Sequence, residues 1–282
     1  MSRQIRRSVR NARRTGSRSR SSGAASNWVW YLAIVAVAAI VIGGFVLADN
    51  LRRQAAFDPV TLCPDSGPTG VMAILLDLTD PVSPAQATRL RAMLGRDIAQ
   101  SPAGTYISVG VVSEDPSAWG ATFARCKPQS EAEANPLIQN PRLLGETYND
   151  DFIVPLSAAL DDMTNRGTED TSPIMESLQA LVAETPGIET VAGSRRIIIV
   201  SDLLQNSDQI SFYRGEFWEA FDAIDGPRRL SGNLSDVDVT LIRISRPAAG
   251  DLDAAAVDTF WLHYFDLQGT NGSFDVRPLG EF

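Results

Sequence analysis

Residues able to build a nucleophilic or soft-metal centre are scarce: the 282-residue chain holds one His, two Cys and a single Lys. That scarcity excludes zinc-finger arrays and His-rich metal centres. His263 lies in Trp261-Leu262-His263-Tyr264-Phe265 and reads as a packed helix residue, so serine hydrolysis lacks a base. Lys127 belongs to no Gly-x-x-x-x-Gly-Lys loop, and no Gly-x-Gly-x-x-Gly fingerprint is present. Neither catalysis nor a small-molecule substrate is therefore expected.

Positive charge is scarce outside one end. Residues 1–27 carry eight Arg and no acid, and removing them from the net charge of −9 leaves −17 for the rest. So acidic a remainder argues against a nucleic-acid partner. Apolar residues at 44% and charged residues at 21% exclude a disordered or fibrous chain.

What the sequence does have is a long uncharged run from Trp28 to Ala48. At about 1.5 Å per residue it spans the hydrocarbon core of a bilayer as a helix. Trp28, Trp30 and Tyr31 suit the membrane interface. The arginine asymmetry puts the N-terminus in the cytoplasm and the bulk of the chain on the far side of an inner membrane, in the periplasm. The alternative is a signal peptide cleaved after Val46-Leu47-Ala48, whose apolar core would exceed the usual limit of about 15 residues. The organisation expected is a disordered basic cytoplasmic tail (1–27), a transmembrane helix (28–48) seated in the lipid bilayer, a linker (49–69) and one domain (70–282). Cys63 and Cys126, exported to an oxidising compartment, are expected to pair; two buried thiols are the alternative.

Within the domain, strands and helices alternate. Val71–Leu76 and Arg195–Val200 are apolar runs of the kind buried on both sheet faces. Further strands are expected at Thr105–Val112, Val237–Ile244 and Phe274–Val276. Ser83-Pro84 opens a helix whose apolar face is Leu90, Met93, Leu94 and Ile98. Helices follow at Phe152–Met163, after Ser172-Pro173, at Phe212–Ile224 and at Ala254–Leu267, and 127–150 reads as an irregular, proline-punctuated excursion. The fold class is α/β, a mostly parallel central sheet with helices on both faces, preceded by one transmembrane helix.

Ligands of open parallel sheets sit at the carboxyl ends of the strands, and this chain puts Asp77 and Asp202 there. Asp77 and Thr79, two residues apart on an extended segment, share a side. A carboxylate beside a hydroxyl suits Mg²⁺, which needs only one or two protein carboxylates. A phosphatase of the haloacid-dehalogenase type would need a second Asp where Thr79 stands. The bland reading is that Asp77 caps a turn and Ser172 caps the helix opened by Pro173.

Asp77-Leu78-Thr79-Asp80-Pro81, Thr171-Ser172-Pro173-Ile174 and Val200-Ser201-Asp202, in that order, resemble the metal-ion-dependent adhesion site of von Willebrand factor A-like domains. The resemblance spans roughly residues 70–280. It implies that Asp77, Thr79, Ser172 and Asp202 hold Mg²⁺ and that an acidic residue of a partner protein completes the coordination. Pro81 stands where the motif has its second Ser, and Leu203 where it has Gly after the last Asp. Asp80 is an added carboxylate that could replace a lost ligand or cap the following helix. The expected function is a membrane-anchored periplasmic module that binds an envelope protein. The alternative is a metal-free structural subunit of an envelope complex, docking through 127–150 or through Phe212, Tyr213, Phe217 and Trp218.

Overall fold

The computed structural model describes residues 24–55, 57–165, 169–245, 252–270 and 275–280. Residues 1–23 of the basic tail and Phe274 lie outside the described residues. The chain divides into two compact units, 1–52 and 53–282.

The first unit is built on α1 (Ala24–Ala55), in which Trp28–Val46 is long and apolar enough to cross a membrane. Its 19 residues rise about 28 Å, close to the hydrocarbon thickness. The helix continues to Ala55, so the start of the expected linker is helical. Residues 49–55 contain no Gly or Pro, and Leu, Arg, Gln and Ala propagate a helix well.

The second unit holds one six-stranded sheet. Its strands are β1 (Gly70–Leu76), β2 (Thr105–Val111), β3 (Phe123–Cys126), β4 (Arg195–Ser201), β5 (Asp238–Ile244) and β6 (Asp275–Leu279). They are ordered β3-β2-β1-β4-β5-β6, every pairing parallel except β2 with β3. The antiparallel edge strand β3 is absent from the sequence reading because four residues are too few to show a period.

Helices cover both faces, as expected. Val71, Ala73, Leu75, Ile197, Ile199, Val239 and Leu241 pack with α5 (Ile174–Glu184) and α8 (Ala254–Leu267). The alternate residues Met72, Ile74, Leu76, Ile198, Val200, Ile242 and Ile244 pack with α2 (Pro84–Gln100) and α4 (Val154–Thr164). Burial on both faces accounts for the unbroken apolar runs of β1 and β4. α2 begins with a reciprocal cap: the Gln86 N–H donates to Ser83 Oγ at 3.2 Å, and the Ser83 N–H to Gln86 Oε1 at 2.9 Å. Leu90, Met93, Leu94 and Ile98 are buried as the spacing requires.

Two expectations are corrected. Residues 127–150 are not an irregular excursion but a short 3₁₀ turn (Glu131–Glu133), α3 (Pro141–Thr147) and the start of a wide helical turn (Tyr148–Ile153) that runs into α4. The order comes from Lys127, which is buried and holds Glu133 at 3.2 Å beneath the Tyr148 ring. The prolines mark boundaries instead, Pro141 taking the first position of α3. The aromatic stretch 212–224 is likewise not one helix. Gly215, at φ +73°, separates a 3₁₀ turn (Phe212–Arg214) from α6 (Trp218–Ala223), which a short α7 (Gly226–Arg229) follows. Phe212 and Phe221 are buried against Phe260, while Tyr213 is exposed.

Cys63 and Cys126 form a disulfide, their Cα atoms 4.8 Å apart. Beside it the Cys126 N–H donates to the Thr61 carbonyl at 2.7 Å. The bond fastens the segment before β1 to the end of β3. At a sequence separation of 63, loop-closure entropy gives it about 4 kcal/mol.

Candidate cation-binding cleft

Strand order reverses at β1, whose neighbours β2 and β4 lead to opposite edges. A crevice opens at such a switch point, outside the strands' carboxyl ends. Asp77 and Asp202 are the residues that follow β1 and β4, so the topology delivers both to this crevice. They stand side by side: the Asp77 N–H donates to the Val200 carbonyl at 2.7 Å.

Hydroxyls hold the Asp77 carboxylate. Thr79 Oγ1 donates to Oδ1 at 2.8 Å and Ser201 Oγ donates to Oδ2 at 2.6 Å. The carboxylate is 1% exposed and, among the described residues, forms no ion pair. Burying a carboxylate without a cation is costly, and hydroxyl donors compensate only in part.

Ser172 reaches the crevice from another direction. It forms an isolated bridge with Asn206, exchanging backbone hydrogen bonds of 2.8 and 2.9 Å. The Glu169 N–H donates to the Thr79 carbonyl at 3.0 Å, so three loops are laced together. The helix-cap reading of Ser172 is not what the structure shows. α5 begins at Ile174 with Pro173 before it, and Gln205 Oε1 accepts the Met175 N–H at 3.0 Å instead. Ser172 Oγ is buried with no hydrogen-bond partner. A buried hydroxyl left unsatisfied costs about 1–3 kcal/mol.

Asp202 is also buried, and its Oδ1 accepts the Leu204 N–H at 2.9 Å. Leu203 between them has φ +69°, a conformation that favours glycine. Burial of the side chain and a 2.8 Å hydrogen bond from Trp261 Nε1 to its carbonyl hold the strained residue in place.

Thr79, Asp80, Ser172 and Asp202 all line one cleft of about 260 Å³, together with Glu169, Asp170, Thr171, Leu204, Asn206 and Tyr213. Asp77 lies beneath it, behind the Thr79 hydroxyl. The four sequence-derived positions are thus brought together, one as floor and three as wall. Asp80 is in the wall as well; Ser83, not Asp80, caps α2. Ser201, Gln205, Asn206 and the acidic pair Glu169-Asp170 were missed. Ser201 and the acidic pair adjoin residues already singled out, whereas Gln205 and Asn206 carry no sequence signal.

Among the described residues no three His, Cys, Asp or Glu side chains cluster as metal ligands. The cleft is lined by the carboxylates of Asp80, Glu169, Asp170 and Asp202 together with hydroxyls, an oxygen set that suits a hard cation keeping several waters. Thr79 Oγ1 spends its proton on Asp77 and keeps its lone pairs, and Ser172 Oγ has both of its own unclaimed. These oxygens fit Mg²⁺. Pro81 contributes none.

The second unit is therefore a doubly wound α/β domain with an acidic, hydroxyl-lined cleft at its switch point. No family model and no curated protein matches the chain. Among solved structures it is similar to an aerotolerance-related membrane protein from Bacteroides fragilis NCTC 9343 carrying multiple mutations to serines. The identity is 12%, covering 74% of this chain and 90% of that one, with a TM-score of 0.36. It is also similar to the SpRpn10 VWA domain at 10% identity, covering 76% and 89%, with a TM-score of 0.40.

Proposed function

We propose that this chain is a membrane-anchored, non-catalytic module that binds a protein of the cell envelope through the cleft at the β1/β4 switch point. α1 spans the inner membrane, the arginine-rich N-terminus stays in the cytoplasm, and the domain stands in the periplasm, where the Cys63–Cys126 bond is stable. Thr79, Ser172 and Asp202 hold Mg²⁺, with Asp77 orienting the Thr79 hydroxyl from below. The ion supplies a positive centre in a buried acidic floor.

The observation that carries this reading is the unpartnered Ser172 Oγ in a cleft that also gathers Thr79 and Asp202. A hydroxyl that could have capped α5 is instead left with its lone pairs unanswered, at a cost that a bound cation removes. Pull-down from envelope extracts with the full chain in detergent tests the function. A partner retained in Mg²⁺ and released by EDTA is expected, and its retention in both would take the metal out of the mechanism. Calorimetric titration with Mg²⁺ and Mn²⁺ tests the ion separately, with Asp202→Ala as the silent control.

A second reading, a metal-free structural subunit, is favoured by Leu137 and Ile138. They are 90% and 77% exposed at a tip whose base is fixed by Lys127 and Glu133. Leu137→Ser with Ile138→Ser would dissolve such a complex and leave cation binding intact.

A further inference from the structure

The cleft carries more negative charge than its cation can offset. Asp80, Glu169, Asp170 and Asp202 line it, Asp77 lies beneath, and no basic side chain among the described residues lines it. A divalent ion offsets two charges, and Asp77, Glu169 and Asp170 alone already carry three. An acidic side chain approaching from a partner therefore meets like charge even with the ion in place.

The rest of the lining points the same way. Ser172 Oγ is a buried acceptor with nothing donating to it, in a residue 7% exposed. Thr79 Oγ1 donates its hydrogen bond to Asp77 and is left with lone pairs that can accept. An ammonium offers three N–H donors and a guanidinium five, with no acceptor in either. Tyr213, 56% exposed at the rim, adds an aromatic face of the kind that cations approach. At about 260 Å³ the cleft is smaller than most small-molecule sites, which start near about 300 Å³, and has room for a long side chain.

We propose that the partner presents a basic segment, and that a lysine or arginine side chain from it enters the cleft over the Glu169-Asp170 rim. This rests on the reading of the cleft as the binding site and reverses the sign of the partner residue that the adhesion-type resemblance implies. The rim residues are exposed and fixed from behind. Glu169 Oε2 accepts the Glu114 N–H at 3.0 Å, and the Asp170 N–H donates to Glu114 Oε1 at 2.8 Å.

The test uses the full chain in nanodiscs of zwitterionic lipid, with labelled octalysine and octaglutamate peptides followed by fluorescence anisotropy. Octalysine is expected to bind and to weaken about three- to tenfold in Glu169→Gln/Asp170→Gln. The control Glu131→Gln/Glu146→Gln removes equal charge from exposed residues elsewhere and is expected to leave the affinity unchanged. Octalysine binding that both double variants weaken equally, or that neither weakens, overturns the proposal. So does Mg²⁺-dependent octaglutamate binding that Thr79→Val abolishes, an outcome that would preserve the proposed function. Rim-dependent octalysine binding that is as tight in EDTA supports the basic partner and sinks the metal.

Discussion

Two buried aspartates occupy opposite ends of the same sheet and meet opposite fates. Asp97, in the last turns of α2 and 6% exposed, receives two hydrogen bonds from Arg277 Nη1 at 3.0 and 2.8 Å. Arg196 adds a third contact at 3.7 Å. Burial works against the Arg277 charge, but the carboxylates of Asp97 and Asp275 outweigh it and raise its pKa. Asp77, beside the cleft and 1% exposed, is held by two hydroxyls and the Thr79 backbone N–H, with no cationic partner among the described residues. The fold supplies a counter-charge where a carboxylate ties α2 to β4 and β6. At the switch point no described side chain supplies one. On the function proposed above, that contrast separates an architectural acid from one kept for a ligand.

Replacing both residues in turn breaks or sustains the contrast. Asp97→Asn takes a buried carboxylate from two partly buried guanidinium groups, leaving Arg277 to Asp275 and Arg196 to Thr240, and is expected to cost about 2–3 kcal/mol in denaturant unfolding. Asp77→Asn keeps the shape and removes an uncompensated charge, and its amide nitrogen replaces one of the two acceptors, so one hydroxyl must turn to accept instead of donate. Its stability in EDTA is expected to match or slightly exceed that of the wild type, while its affinity for Mg²⁺ falls at least tenfold. Equal destabilisation by the two variants would mean that Asp77 is structural too.

Leu203 gives the next largest effect and shows where the sequence misleads. Nothing in the local sequence marks residue 203 as a turn, since Leu stands there, yet its φ is +69°. Its strain of about 1–2 kcal/mol is outweighed by burying a leucine, worth about 1.5–3 kcal/mol. Leu203→Gly is thus expected to lower stability by about 1–2 kcal/mol in thermal unfolding, with cation affinity unchanged. A stabilised variant would show that the packing contributes less than the strain.

Much of the fold was legible because β1 and β4 are buried on both faces and α2 carries its cap in plain residues. Ser83, Pro84 and Gln86 announce a helix start from chemistry that needs only neighbours. The position of the candidate cleft was legible too: Asp77 and Asp202 follow strands, and strand ends are where such sheets put ligands. What escaped depends on residues distant in sequence. β3 exists because β2 offers an edge to pair with, and 127–150 is ordered because Lys127 finds Glu133 and Tyr148. Ser172 looked like a cap because its neighbour is Pro173. Only the Asn206 bridge, unreadable from local sequence, turns it away from α5.

Ser172→Ala sharpens the contrast with a smaller effect. Removing an unsatisfied buried hydroxyl is expected to raise stability in EDTA by up to about 1 kcal/mol and to weaken Mg²⁺ binding. Residues that serve the fold seldom improve it when truncated. Calorimetric unfolding with and without Mg²⁺ checks both halves, and a loss of stability in EDTA would give Ser172 a structural role instead.

The smallest effect lies at the end opposite the cleft, where charge is again answered from within. Burial raises the Glu133 pKa, but hydrogen bonds from the Ser130 backbone and hydroxyl and from Lys127 together bring it below its ordinary 4.5. A carboxyl with a lowered pKa in the folded state stabilises above its unfolded value, and that contribution is lost as pH falls through the folded one. Between pH 6 and 5 the 130–147 segment is therefore expected to keep its hydrogen-exchange protection, and to lose it progressively below about pH 4.5. Glu133→Gln should show the weaker protection at every pH. If protection instead declines around neutrality, the Lys127–Glu133 pair is not what orders this segment, and the internal neutralisation that distinguishes this end from the cleft would rest on Asp97 alone.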